Sequence, residues 1–317
     1  MRLSRLVIVA TIAAATASLA AAAVLAPHGA APAGVAPAAV AALRPGWFAY
    51  QPVGDFESAG QTIDAPAAAT RLDAPFDVMV EPVSQAAYAR CVAAAACPKL
   101  RTVDPAAENL PVVGVSWLDA TAYAEWYAAA TGEDWRLPTD DEWAYAAAER
   151  FHGEPPLASG DDFARRWLAK FDADAATARQ AKTPQPFGHF GRNTRGVADL
   201  SGNVWEWTNS CYERRALDAG GEARLLTRNC NVRALEGEHR MFMSDFIRDG
   251  VTGGCSAGLP PTNLGFRLVR GRASAVARVI SGVSALFAAL WRPLHRADAR
   301  FPSPASQGRT SAPPLHE

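Results

Sequence analysis

Two carboxylates lie seven residues apart in "GVADLSGNVWEWTN": Asp199 and Glu206, with Gly202 between them and Trp205 and Trp207 flanking the second. A calcium ion takes about six to eight oxygens from carboxylates and backbone carbonyls. A turn through Gly202 can aim carbonyls between the two acids, and the tryptophans can bury its back. The same residues also suit a plain Asx-type turn, in which a buried acid accepts from backbone N–H groups. Further on, "EGEHRMFMSDFIRD" gathers Glu236, Glu238, His239, Arg240, Ser244, Asp245, Arg248 and Asp249. Most of these charges are expected on a solvated or salt-bridged face. Two other patterns carry little. "GCSAG" (Gly254 to Gly258) matches G-x-S-x-G but lacks the strand before and the helix after that a nucleophile elbow needs. His152 and Glu154 could join His189 or His239 at iron, but these residues sit in separate loops, and no iron site is expected.

The elements that must position these groups are mixed. "FDVMVEPVSQAAYARCVAA" reads as a strand, then a helix capped by Ser84. "PVVGVSWLDATAYAEWYAAATG" reads as a strand, then a helix. Ser116 or Asp119 caps it, its aromatics recur at helical spacing, and Gly132 ends it. "RLPTDDEWAYAAAER" is a further helix with Thr139 and Glu142 in a capping box. Between 151 and 195 turn signals dominate, with a short helix expected around Asp161–Phe171. From Thr183 on, Gly, Pro, Asn and short apolar runs point to a loop-rich domain. Such a domain needs cross-links, buried tryptophans or ions to hold it.

The chain has 317 residues, 49% of them hydrophobic and 20% charged, with a formal net charge of −1. That is ordinary globular composition. No basic stripe with interleaved aromatics is present, so no nucleic-acid partner is expected. Residues 1–26 open with Arg2 and Arg5 and run uncharged from Leu6, with A-x-A sites. This reads as a secretory signal peptide, or else as an uncleaved anchor. Both place the domain outside the cytoplasm, periplasmic or secreted. Residues 27–45 are Ala/Pro-rich linker. The folded region is expected over 46–271, and 272–317 hold an amphipathic helix (Val276 to Leu290) and a basic tail. That helix either packs on the domain or lies on an anionic membrane surface, so either end of the chain offers a membrane contact. Five cysteines fit an oxidising compartment. Cys91 with Cys97 can close a short loop, Cys211 with Cys230 a longer one, and Cys255 is left over.

Three segments in order resemble one family: "LPVVGVSWLDATAYAEWYAAATGEDWRLPTDDEWAYAAAER", "GVADLSGNVWEWTNSC" and "NLGFRLVR". The family is the formylglycine-generating enzymes, or sulfatase-modifying factors, whose pyoverdine-maturation branch works outside the cytoplasm. The resemblance covers roughly residues 46–271. It implies an α+β, loop-rich fold related to C-type lectins. It also implies a structural calcium ion held at Asp199, Gly202, Val204 and Glu206, and a substrate cleft lined by the 236–249 window. His239, Arg240, Ser244 and Cys255 are the residues expected to line it. The family's aerobic enzymes carry two cysteines between a Gly-Gly and the Asn-x-Gly-Phe-Arg motif, and two thiolates suit Cu(I). Here that stretch holds Cys255 alone, so a copper centre and conversion of sulfatase cysteine to formylglycine are not expected. Two functions remain: a maturation factor of oxidoreductase type acting on a periplasmic protein or peptide-derived precursor, or a calcium-braced module that only binds a peptide or protein.

Overall fold

The computed structural model describes residues 35, 37–153, 168, 183–249 and 263–271, all within the unit Pro27–Arg272. The expected signal segment, the helix near Asp161–Phe171 (apart from Leu168), Cys255 and the C-terminal amphipathic helix lie outside the described residues. Among the described residues these strands and longer α-helices follow in chain order: β1 (Val40–Leu43), β2 (Gly46–Tyr50), β3 (Asp55–Ser58), β4 (Gln61–Ile63), β5 (Ala68–Leu72), β6 (Phe76–Met79), α1 (Gln85–Ala93), α2 (Trp117–Thr131), β7 (Trp135–Arg136), α3 (Asp140–Ala147), β8 (Trp205–Leu217), β9 (Ala223–Glu236), β10 (Arg240–Ser244), β11 (Leu264–Gly265) and β12 (Val269–Gly271). The architecture is α+β.

The helices start and stop where the local chemistry dictates. Ser84 caps α1 by accepting from Ala87 N. Ser116 caps α2, and Asp119 completes a capping box there, its Oδ2 accepting from Ser116 N at 2.9 Å. Gly132 ends α2 in the left-handed conformation at φ 69°. At α3, Glu142 reaches back to accept from Thr139 N at 2.9 Å.

Among the described residues three sheets carry the rest. One runs β1-β6-β12-β7, a second β10-β9-β8-β3-β4 with β11 parallel to β8, and a third pairs β2 with β5. Two expectations are corrected here. Val40–Leu43, inside the stretch read as linker, is a strand paired antiparallel to β6. Its alanines carry little strand signal, and β6 supplies the burial. Conversely "PVVGV" is no strand. Val112 and Val115 are buried in irregular chain whose N–H groups donate to Val83 O and Leu264 O.

The larger departure is the β8–β9 hairpin, thirteen and fourteen residues long, where loops were expected. Its base is buried and its outer half is solvated, so the alternation that marks a half-buried strand is lost. Asp218 closes the hairpin by accepting from Gly220 N and Glu222 N.

The main core joins α1, α2 and the base of the hairpin around Tyr88, Tyr123, Trp135, Trp205, Trp207 and Phe266. A second cluster packs Trp143, Val197 and Leu200 against β1 and β6.

Both expected disulfides are present, Cys91–Cys97 and Cys211–Cys230. The first is buried in the main core. Its loop is short, with a sequence separation of 6, so its effect on the unfolded chain is modest. Replacing both cysteines by serine should lower stability by about 2 kcal/mol, read as a lower urea midpoint at unchanged slope. Among the described residues no helix is long and apolar enough to cross a membrane.

Candidate functional site

The turn that opens the hairpin answers the question posed by Asp199 and Glu206. Asp199 sits in the left-handed region (φ 58°), as does Ser201 (φ 59°). The Asp199 carboxylate accepts from Gly188 N at 2.6 Å and Phe190 N at 2.8 Å. It thereby ties the 183–190 segment onto the turn, and Asn203 adds a pair of hydrogen bonds to Gln185. Gly202 is required because a Cβ there would come within 2.7 Å of the Phe190 ring. Val204 is buried.

Glu206 faces a different set of partners. Its Oε1 accepts from Arg267 Nη2 at 2.7 Å. Its Oε2 accepts from Arg267 Nε at 2.7 Å and from Trp143 Nε1 at 2.8 Å. Arg267 spends its remaining N–H groups on the carbonyls of Met79, Val80 and Ala198. The side chains of Glu206, Arg267 and Trp143 are all fully buried. Both carboxylates thus meet N–H donors, and a guanidinium already supplies the positive charge at Glu206. As arranged, the two carboxylates among the expected calcium ligands Asp199, Gly202, Val204 and Glu206 are both taken up by N–H donors. The geometry follows the alternative seen in the sequence, an acid satisfied by backbone N–H groups, with an added buried ion pair that the sequence did not signal.

The polar window spans the tip between β9 and β10 and the strand beyond. Gly237 lies against the face of Trp205, where a Cβ would come within 2.7 Å of the indole. His239 packs edge-on to the same indole at 4.9 Å, with Nδ1 3.0 Å from Arg240 O. Arg240 does not line a cleft. It is fully buried, its Nε 2.7 Å from Glu236 Oε1 and 3.1 Å from Asp140 Oδ1, with Nη2 on Asp140 Oδ2. Its Nη1 donates to the carbonyls of Gln51 and Pro52. Tyr50 donates its hydroxyl to Asp140 at 2.8 Å. Ser244 ends β10, half-buried opposite Val232. Arg248 grips Asp119, the acid of the α2 capping box, through two bonds.

Burial and the nearby Asp140 push the Glu236 carboxyl well above the usual carboxylate range. Burial and Asp140 likewise raise the Tyr50 phenol. Burial raises Glu238 despite the opposing effect of His239. Asp140 and Tyr50 were invisible as site residues in the sequence, since only tertiary contact brings them to Arg240. Beside this cluster, Tyr50, Pro52, Asn209, Cys211, Glu213, Arg215 and Arg228 line a cleft of about 350 Å³.

The described residues therefore bring His239 to Trp205 and bury Arg240. They do not gather His239, Arg240 and Ser244 on one open surface. Among them no group of three His, Cys, Asp or Glu residues is placed to hold a metal. With four of the five cysteines in disulfides, Cys255 has no second thiol to share. A two-thiolate copper site does not fit this chain.

The Sulfatase-modifying factor enzyme 1-like domain matches residues 25–272, and the chain belongs to that family. It is 34% identical over 131 residues to the mouse protein named Inactive C-alpha-formylglycine-generating enzyme 2, covering 37% of this chain and 36% of that one. It is 37% identical over 105 residues to the formylglycine-generating enzyme of Mycobacterium tuberculosis, covering 32% and 33%. The chain thus spans about a third of the length of these relatives. Among solved structures, PvdO from Pseudomonas aeruginosa is similar at 20% identity and a TM-score of 0.46, covering 73% of this chain and 94% of that one.

Proposed function

We propose that this chain is an exported accessory or maturation factor of oxidoreductase type, acting on a periplasmic protein or a peptide-derived precursor. The distribution of its cysteines carries this reading. Four are committed to disulfides, which fits maturation in an oxidising compartment. The segment between Gly237 and Asn263 keeps Cys255 alone. The family fold is therefore retained without the thiol pair that sulfatase modification needs, which favours a different modification on the same scaffold.

The test has two arms. Purified protein given Cu(I), oxygen and a cysteine-containing sulfatase peptide should yield no formylglycine by mass spectrometry. In a strain lacking the protein, one exported protein or peptide-derived product should persist in its unoxidised form and revert on complementation. Formylglycine that disappears in Cys255→Ser would restore sulfatase modification. A deletion strain with no altered exported species would leave only a binding role.

A further inference from the structure

The two disulfides occupy opposite environments. Cys91 and Cys97 are both buried, with Cys91 fully enclosed. Cys230 is exposed on β9, and Cys211 is half-buried on β8, lining the 350 Å³ cleft. The second bridge sits at an irregularity in the hairpin. Cys211 pairs with Arg233 and Tyr212 with Asn229, so residues 230–232 bulge out of the β8–β9 register. The ladder continues on both sides of the bulge, and Val232 remains paired to Ser244 on β10. Opening the bridge would not dismantle the sheet.

A cation faces one of the two sulfurs. Arg233 Nη1 lies 3.3 Å from Cys211 Sγ. Its guanidinium is stacked 3.9 Å over the Trp117 ring and donates to Asn209 O at 2.9 Å. Among the described residues Arg233 makes no direct ion pair, the Asp245 carboxylate acting on it only from farther off, whereas Arg215 and Arg228 both hold Glu213 across the same cleft. A fixed guanidinium beside a sulfur lowers the cost of a thiolate there.

We propose that Cys211–Cys230 is a thiol–disulfide exchange site for a dithiol on an exported partner protein. The partner's thiolate attacks Sγ of Cys230, the exposed residue of the pair. The Cys211–Cys230 bond breaks, and Cys211 leaves as a thiolate held by Arg233. The partner's second thiol, as thiolate, then attacks the mixed disulfide, forming the partner's own disulfide and releasing Cys230. The two protons given up by the partner's thiols end on Cys211 and Cys230. The partner is oxidised by two electrons and this chain is reduced by two. A better leaving thiolate speeds the first step, and the cleft beside Cys211 gives the partner's side chains a seat. The proposal deepens the oxidoreductase reading above, resting on it only for the compartment.

Full-length protein in graded reduced and oxidised glutathione, followed by alkylation and peptide mapping, tests it. Cys211–Cys230 should open at a poise where Cys91–Cys97 stays closed, and dithiothreitol should open it at least about tenfold faster at pH 7. In Cys230→Ser, the pH dependence of Cys211 alkylation should place its thiol at least about one unit below the ordinary value near 8.5. Adding Arg233→Gln should return it to the ordinary range, and Arg233→Lys should restore most of the depression. Opening of both bridges together, or an unperturbed Cys211 thiol, would overturn the proposal. Either result would leave the formylglycine and deletion-strain outcomes standing, so the two readings fail separately.

Discussion

Glu206→Gln should destabilise the folded chain by about 3–5 kcal/mol, the range for breaking one partner out of a buried ion pair. Calcium chelation should leave the wild-type melting curve where it is. Arg267 is fully buried, and Glu206 is the carboxylate it contacts, through two bonds of 2.7 Å. Glutamine keeps the side-chain length but leaves the guanidinium charge without its counter-charge. One amide end must also direct N–H groups at Arg267 or at Trp143 Nε1, both of which are donors. The effect should appear as a lower urea midpoint with an unchanged slope. A chelator-induced drop in the wild type that vanishes in Glu206→Gln would instead place a cation at this turn.

That ion pair also marks the limit of what the sequence discloses. Helix ends are local events, so Ser84, Ser116, Gly132 and the Thr139–Glu142 pair were readable from spacing. Strand partners are not local. Val40–Leu43 reads as linker because its alanines become strand only when β6 pairs with them. The outer hairpin reads as loop because, exposed on β9 from Ala223 to Asn231, it carries no apolar alternation. At the site, the spacing of Asp199 and Glu206 was legible as two oxygen-rich positions. Their choice of N–H donors was not, since Arg267 and Trp143 lie about sixty residues from Glu206 on either side. The polar window was found as a cluster. That Arg240 turns inward depends on Asp140, a hundred residues earlier, which looks in sequence like an ordinary first-turn acid of a helix.

The same inward turn sets the second large effect. Arg240→Met should cost about 3–5 kcal/mol, because it leaves Asp140 buried without its cation. Glu236→Gln should be tolerated. Asp140, Glu236 and Arg240 are all fully buried, two carboxyls around one guanidinium. With both acids ionised the cluster would carry a net negative charge away from water. A proton on Glu236 removes that charge, which is why burial and Asp140 raise its carboxyl well above the usual range. A group raised in the folded state contributes stability that is fully present below its unfolded pKa and is lost as pH rises through its folded one. The wild type should therefore lose stability as pH climbs from the ordinary carboxylate range through the raised value. Glutamine, a permanently neutral stand-in for the protonated acid, should flatten that loss. Urea unfolding of both proteins across a pH series reads it directly. If wild type and Glu236→Gln decline in parallel, or if Glu236→Gln is as damaging as Arg240→Met, then Glu236 is ionised in the fold and shares Arg240 with Asp140 as a second full charge.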